Sequence, residues 1–452
     1  MARSSGRRFW GIPNEFWIGF VIMVGFFLKL VYVSKLGYAA GTLNPGTWQE
    51  SAEAVRSGGS LDVISYLYTF HHFPGFSPKG LFGYADPPLY YVICSLWMEL
   101  LHRLMGWSVN VSLYCVLALN VIYVMVGECA GIGILQKLGV RGRKLVVALL
   151  FLIFFPSHYH MSGSLSGSAL CFMLTILALN GVLSWHRSRR KKELKKSSVE
   201  LGLALMTSYA AVMVIPAMIV LFVYASKDGR RNQTPLSIQF RNFALTAGIM
   251  AMIWPLYISI RFGLPLFYVE GAGVKLEGAY ASVFTRLALP GRSLMEHLHT
   301  TGDVSREYNI WAQTYKTALV DLHSINTSLR GTHLITVFLL YMNVLLSVIA
   351  HMMLIYTLFF ANRIDRVFRR MLFIGYVSML AAYIAACFLV PYTGTMDFKM
   401  ITAVLMFPLA GMSVCGTGDL SDNRFEKITT GITNVMILGM AFVTAFLFGF
   451  YY

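Results

Sequence analysis

Apolar runs of about 20 residues recur from one end of this 452-residue sequence to the other. Clear examples are 15–34, 242–260, 333–360 and 431–452. A run of this length crosses a bilayer as a helix, whereas strands of a membrane barrel would show weaker, alternating segments of about ten residues. With 56% hydrophobic and 13% charged residues, the chain lacks the polar surface of a soluble fold. The sequence therefore predicts an all-α polytopic membrane protein.

Basic residues account for the net charge of +16, and they gather beside the apolar runs. Four clusters lie at 3–8, 187–196, 227–241 and 363–370. Cytoplasmic loops of membrane proteins carry such an excess of Lys and Arg, so we expect these segments and the N-terminus in the cytoplasm. The charge is an orientation signal, and nucleic acid is not an expected partner.

This orientation predicts about ten or eleven transmembrane helices and two large loops on the outer face. The first outer loop is 36–88, within an N-terminal membrane module that covers 1–261. The second is 262–332, and the remaining residues, 333–452, form the C-terminal transmembrane helices.

Two stretches of the N-terminal module do not fit a simple count of crossings. The loop 137–144 is also basic, and if it too is cytoplasmic, one element between 88 and 136 is short of a complete crossing. The apolar stretch 199–224 has basic clusters on both sides, yet two full spans would need about 40 residues. We expect a short hairpin there that bends near residues 207–209.

Glu128 lies inside an apolar run, beside Gly127 and Gly131. A carboxylate within hydrocarbon is costly, so it is expected to pair with another group in the helix bundle. Glu128 is therefore either a hydrogen-bonding group at a helix contact or half of a buried ion pair. Both roles are structural, and we assign this residue to no reaction site.

The first outer loop mixes aromatic and ionisable residues. Closely spaced aromatic residues between 64 and 82 are typical of a segment that lies in the membrane interface. The same loop carries Glu50, the pair His71 and His72, and Lys79, which are suited to general base catalysis and phosphate binding. The loop is therefore either an interfacial anchor or part of a reaction site.

Asp86 precedes Pro87 and Pro88, at the start of the next apolar run. Proline is tolerated in the first turn of a helix and disfavours helix before it, so this segment marks an abrupt junction between loop and helix. Asp86 is either the N-cap of that helix or a member of the site.

Four short motifs in order resemble the GT-C superfamily of membrane glycosyltransferases, which includes the protein O-mannosyltransferases and the bacterial aminoarabinose transferases. They are Trp48-Gln49-Glu50, Tyr84-Ala85-Asp86-Pro87-Pro88-Leu89, Tyr308-Asn309-Ile310-Trp311 and Thr395-Met396-Asp397-Phe398-Lys399. The resemblance is greatest to a poorly characterised bacterial group of these enzymes. Three features depart from that pattern. Glutamate replaces the loop aspartate at Glu50, Asp86 stands where a His or Lys usually precedes Pro-Pro-Leu, and 162–168 lacks the second acidic residue that is usual in many relatives.

The resemblance implies an inverting transferase whose donor is a polyprenyl-phosphate sugar and whose acceptor is a hydroxyl of a glycan, lipid or protein. It implies Glu50 as the general base, with Asp86 and Asp397 as the other candidates for acid or base work. The leaving phosphate needs cations, for which Lys399 is the first candidate, oriented by Asp397. Further assignments are Lys79, His71 and His72 to the phosphate, and Tyr90, Tyr308, Asn309 and Trp311 to the sugar or acceptor.

No obligatory cofactor and no metal site are expected, although dependence on a divalent metal stays open. Two other classes stay open. A flippase or transporter of a lipid-linked glycan should show interrupted helices and charges inside the bundle. A noncatalytic scaffold should tolerate the exchange of Glu50 and Lys399 for alanine. Membrane lipids are partners in either case. The expected location is the plasma membrane of a bacterium, or the endoplasmic reticulum if the host is a eukaryote.

Overall fold

The computed structural model describes residues 14–35, 87–107, 109–164, 166–227, 235–263, 265–266, 282–288, 309–319, 330–360, 364–391, 397–415 and 424–451. Every regular element in these ranges is a helix, and they contain no strand. The prediction of an all-α fold is therefore confirmed.

The helices follow one another along the chain with few long gaps between the described ranges. In order they are α1 (Asn14–Lys35), α2 (Leu89–Met105), α3 (Val109–Lys137), α4 (Arg143–Ile153), α5 (Pro156–Gly163), α6 (Ser168–Ser188), α7 (Lys191–Leu205), α8 (Ile215–Lys227), α9 (Leu236–Phe262), α10 (Val283–Leu287), α11 (Ile310–Leu319), α12 (Arg330–Phe359), α13 (Arg366–Leu389), α14 (Met406–Cys415) and α15 (Arg424–Phe446). Short 3-10 helices, Tyr209–Val214 and Phe398–Leu405, precede α8 and α14, and a π-helical turn, Leu447–Tyr451, follows α15.

Eight helical segments of the described chain are long and apolar enough to cross a membrane, or nine if the bent pair α4 and α5 counts as one span. This confirms a polytopic membrane protein. The ten or eleven predicted crossings included two further elements that are shorter in the structure. These are α2, with 17 residues, and the apolar segment Phe398–Val414.

Contacts at the start of α2 position it against α3 and the end of α5. The amide of Leu89 donates to the carbonyl of Met206, and Asn120 of α3 donates to both Tyr90 and the carbonyl of Ser164. The start of α2 therefore lies level with the end of α5 and with a residue about 16 Å along α3. The expectation of an incomplete crossing in this region stays a prediction.

The helix is interrupted where the bend near residues 207–209 is expected. Helix α7 ends at Leu205, and Ser208 then accepts a hydrogen bond from the amide of Ala210 to cap the next 3-10 helix. A serine at this position stabilises a helix start because its side-chain oxygen satisfies an otherwise unpaired amide. The break between α7 and α8 is therefore present, and the predicted hairpin stays a prediction.

The helices α3 and α6 form the centre of the N-terminal half, and theirs are the most buried of the candidate spans. Small residues let helix backbones approach closely, as is usual in membranes. At Gly411 of α14, an added Cβ would lie 2.6 Å from the Cα of Leu354 in α12. The domain boundaries predicted at 261 and 332 fall close to the end of α9 and the start of α12, and they stay a prediction.

Candidate functional site

The structure describes five of the residues that the sequence assigns to the reaction. These are Tyr90, Asn309, Trp311, Asp397 and Lys399. The others, Glu50, His71, His72, Lys79, Asp86 and Tyr308, lie outside the described residues. The structure therefore describes one part of the predicted site.

Asp397 and Lys399 form a compact charged pair at the start of the 3-10 helix Phe398–Leu405. One carboxylate oxygen of Asp397 accepts a hydrogen bond from the amide of Lys399 at 2.9 Å, which caps the helix. The other oxygen lies 3.8 Å from Lys399 Nζ, and both side chains are only 11% exposed. Asp397 thus fixes the local backbone and holds a largely buried ammonium group beside it.

The same 3-10 helix packs against α11, so that two of the resemblance motifs meet in space. The amide of Phe398 donates to Thr317 Oγ1 at 2.9 Å. The side chains of Phe398 and Trp311 line one cavity. The Asn-Ile-Trp segment and the Asp-Phe-Lys segment are therefore neighbours, although about 85 residues separate them in the sequence.

Asn309 and Trp311 use their polar groups to attach α11 to α10. The Asn309 amide nitrogen donates to the carbonyls of Thr285 and Ala288, and its oxygen accepts from the amide of Ala312. Trp311 Nε1 donates to the carbonyl of Leu287. What Trp311 presents to the cavity is its ring, so a role in ligand binding would rest on stacking. That role stays a prediction for both residues.

The cavity beside Trp311 has a volume of about 130 Å³ and is predominantly apolar. It lies between α4, α11, α12, α13 and the segment that leads into α14, and its walls include Phe151, Phe155, Leu346, Phe398 and Ile401. An apolar cavity of similar size, about 150 Å³, is known to hold benzene. This cavity therefore has room for a hydrocarbon group of roughly that size.

One side of the cavity carries a polar stripe on α12. Asn343, Ser347 and His351 recur every four residues and so share a face of the helix. Ser347 is within hydrogen-bond distance, 2.9 Å, of Tyr315 Oη, and His351 Nε2 pairs with Tyr376 Oη. The stripe is linked to α11 and α13, which fixes the cavity walls relative to one another.

Tyr90 lies at the start of α2 and is completely buried. Its hydroxyl accepts a hydrogen bond from Asn120 at 3.0 Å, and burial raises the pKa of the Tyr90 phenol well above its usual range. The phenol is therefore neutral and acts here as a hydrogen-bonding group of the helix contact. Its predicted role in sugar or acceptor binding stays untested.

A second polar cluster lies deeper, at the break between α4 and α5. Glu128 Oε1 is 3.0 Å from Lys29 Nζ and 2.8 Å from His158 Nδ1, and all three side chains are 0% exposed. Lys29 also donates to the carbonyl of Ile153, the last residue of α4, at 2.9 Å. The expectation that Glu128 forms a buried ion pair is confirmed, whereas its partners were not identified from the sequence.

The cluster stabilises the bend because Lys29 binds the end of α4 and Glu128 binds His158 of α5. Pro156 begins α5 and has no amide hydrogen, so the helix is interrupted and carbonyls at the end of α4 lose their partners. Lys29 supplies a donor to one of them. A carboxylate only accepts hydrogen bonds, so Nδ1 of His158 is the donor in its hydrogen bond to Glu128. The sequence signal that could have revealed this cluster is the lone lysine, Lys29, in the apolar run 15–34.

Metal binding has no obvious support within the described ranges. No three His, Cys, Asp or Glu side chains there come close enough together to hold an ion. The dependence on a divalent metal therefore stays open, since several of the assigned carboxylates and histidines lie outside those ranges.

Comparison with known proteins finds no matching family model and no matching curated protein. Among solved structures, the chain is similar to ArnT from Cupriavidus metallidurans in the apo state, with a TM-score of 0.37 and 12% sequence identity. The match covers 82% of this chain and 77% of that one. The described residues form a polytopic helical bundle in which the largely buried pair of Asp397 and Lys399 flanks Phe398, one of the side chains that line the apolar cavity.

Proposed function

We propose that the chain is an inverting glycosyltransferase that moves a sugar from a polyprenyl-phosphate donor to an acceptor hydroxyl on the outer face of the membrane. The observation that carries this proposal is the largely buried pair of Asp397 and Lys399, which flanks Phe398, a residue that lines the apolar cavity together with Trp311. A cation next to an apolar cavity suits a lipid phosphate, because the ammonium binds the charged head while the cavity accepts hydrocarbon.

In the proposed reaction, Glu50 accepts the proton of the acceptor hydroxyl. The hydroxyl oxygen then attacks the anomeric carbon in line and forms the new glycosidic bond as the bond to the phosphate oxygen breaks. Polyprenyl phosphate leaves with the bonding electron pair, and configuration inverts. Positive charge placed at the departing oxygen lowers the barrier, which is the role proposed for Lys399. Asp397 holds Lys399 in place.

The remaining assignments complete the proposal. Asp86 is the next candidate for the base. Lys79, His71 and His72 would add positive charge at the phosphate, while Tyr90, Tyr308, Asn309 and Trp311 would contact the sugar or acceptor. The acceptor is a hydroxyl of a glycan, lipid or protein, and the proposed location is a bacterial plasma membrane, or the endoplasmic reticulum in a eukaryote.

A flippase or transporter of lipid-linked glycans is the second candidate, and one observation favours it. The bent pair α4 and α5 is interrupted by Pro156, and the charged cluster of Lys29, Glu128 and His158 lies inside the bundle. Interrupted helices and buried charges are typical of transporters. The same features are compatible with an enzyme, since Lys29 and Glu128 connect the two sides of the bend through Ile153 and His158.

Transfer and flipping assays separate the two candidates. Purified protein in liposomes would receive a panel of polyprenyl-phosphate monosaccharides, with a membrane extract as acceptor. We expect radiolabelled sugar to appear on the acceptor and free polyprenyl phosphate to accumulate with it. Movement of labelled lipid across the bilayer without any release of polyprenyl phosphate would instead establish the transporter.

A further inference from the structure

We propose that the surface at one end of the helix bundle binds the headgroup of a membrane lipid that carries two phosphate groups. This inference goes beyond the proposed reaction and does not depend on it. It begins from three segments, 137–144, 187–196 and 364–370, which together contain fourteen Lys and Arg residues but two acidic residues. Positive charge beside a span is ordinary and sets orientation, but orientation does not require that such segments meet in space.

The three segments do meet, at the same end of the bundle. Arg187, in the last turn of α6, donates a hydrogen bond to the carbonyl of Lys137 at the end of α3. Its guanidinium also lies over the ring of Phe368 in the first turn of α13, 5.4 Å from the ring centroid. Since α3, α6 and α13 belong to candidate membrane spans and these contacts join their ends, the surface lies level with the lipid headgroups.

Aromatic rings hold two further arginines at this end. Arg370 of α13 lies over the ring of Tyr224 in the last turn of α8, and Arg189 after α6 lies over the ring of Trp185, each 5.3 Å from the ring centroid. The helix α8 packs against both α6 and α13. A guanidinium over an aromatic face is attracted by the ring quadrupole, so these contacts give the arginines defined positions.

Exposed arginines at this end fall into two groups, which we call the arginine surface. Arg187 and Arg190 belong to the end of α6 and the start of α7, whereas Arg366 and Arg370 belong to the first turns of α13. The contact between Arg187 and the ring of Phe368 brings the two groups side by side. Like charges on neighbouring helices repel, which favours a bound anion between them.

Carboxylates of the described chain do not neutralise most of this surface. None of them lies within 4 Å of the side chains of Arg190, Arg366 or Arg370. Asp365, next to Arg366 in the sequence, caps α13 by accepting a hydrogen bond from the amide of Val367. The charge of these arginines is therefore available to an anion outside the chain.

Two phosphates match the two groups of arginines better than one. A guanidinium donates two parallel hydrogen bonds to phosphate oxygens, so each group can bind its own phosphate. Basic pockets between transmembrane helices typically bind lipid headgroups of this kind, including cardiolipin. A lipid with a single phosphate would leave one group without an anion. The position at the ends of the spans favours a lipid over a soluble ligand.

The test is the binding of fluorescent cardiolipin, with two phosphates, and fluorescent phosphatidylglycerol, with one, to the purified full chain in neutral detergent micelles. The deciding quantity is the ratio of the two dissociation constants, compared at equal phosphate concentration. For the wild type we expect cardiolipin to bind at least about tenfold more tightly, because it contacts both groups of arginines.

The variant at the arginine surface is Arg190→Gln combined with Arg366→Gln, which removes one arginine from each group. The matched control is Arg141→Gln combined with Lys195→Gln, two exposed residues of the basic segments outside the arginine surface. The first variant should weaken cardiolipin binding about fivefold for each arginine and bring the ratio close to one. The control should retain the wild-type ratio, since it removes the same charge elsewhere.

Both variants should fold normally. The side chains of Arg190 and Arg366 are exposed and have no ion pair or ring contact with the described residues, so melting temperatures without anionic lipid should match the wild type. A variant that keeps this melting temperature and loses the preference for cardiolipin would establish that the arginines bind the headgroup.

Three results would overturn the inference. The wild type could bind the two lipids alike, or the two variants could lower the ratio equally, which would reduce the surface to unspecific attraction. Displacement of labelled cardiolipin by an equal concentration of inorganic pyrophosphate would identify a soluble diphosphate as the ligand. None of these measurements involves a sugar, so the outcome is independent of whether the chain is a transferase.

Discussion

The buried cluster at the bend of α4 and α5 leads to a quantitative prediction for Lys29 and Glu128. At the observed separation of 3.0 Å, an effective dielectric constant of about 20 gives an attraction of about 5–6 kcal/mol. Removing one partner leaves the other charge buried without compensation, which typically costs about 3–5 kcal/mol. We therefore expect Lys29→Met and Glu128→Gln each to lower the free energy of unfolding by that amount.

The double variant should recover much of this loss, because it leaves neither charge behind. One cost remains, since the carbonyl of Ile153 still loses the donor that Lys29 supplied. An unsatisfied buried carbonyl costs about 1–3 kcal/mol. The double variant should therefore be more stable than the sum of the single effects predicts, with a coupling energy of about 3 kcal/mol.

The assay is equilibrium unfolding in mixed micelles, followed by circular dichroism across a titration with sodium dodecyl sulfate. The control is the pair Lys196 and Glu200 on α7, which are 3.5 Å apart with Lys196 66% exposed. A double-mutant cycle on that pair should give at most about 0.5 kcal/mol. If the effects at Lys29 and Glu128 add within about 0.5 kcal/mol, the two groups are not coupled and the account of the bend is wrong.

Two further predictions concern helix packing and phosphate binding. Gly411→Ala should destabilise the protein by about 1–3 kcal/mol, because the new methyl group would overlap the backbone of α12 at Leu354. Gly248→Ala should stabilise it by up to about 1 kcal/mol, because no atom lies within 4 Å of the added Cβ. Melting temperatures of both variants test these predictions. Lys399→Met should weaken binding of polyprenyl phosphate at least about tenfold. The control is Lys35→Met at the end of α1, where Nζ donates to the carbonyl of Gly449, and it should leave binding unchanged. Equal effects of the two variants in a lipid-binding titration would exclude Lys399 as the phosphate ligand.

Much of the helical architecture could be predicted because a membrane span is a local property of the sequence. The break between α7 and α8 was predicted from the length of the run 199–224 and its flanking charges. The packing of α2 could not be predicted in that way, because the contacts that position it join Leu89 and Tyr90 to residues far along the chain.

Charged contacts could likewise be predicted only where the two residues are close together in the sequence. The contact between Asp397 and Lys399 could be predicted because the two residues are neighbours in the chain. Lys29 and Glu128 are 99 residues apart, and each alone is a single polar residue in an apolar run.

Sugar transfer from a lipid phosphate, with Glu50 as the base, is the central function proposed for this chain. It is tested most directly by the transfer rates of the wild type and Glu50→Gln with a polyprenyl-phosphate sugar that the wild type uses. Glutamine preserves size but cannot accept the proton, so we expect a loss of at least about a hundredfold with binding of the donor retained. Equal rates for the two proteins would contradict the assignment of Glu50, and the absence of transfer from every donor would contradict the claim itself.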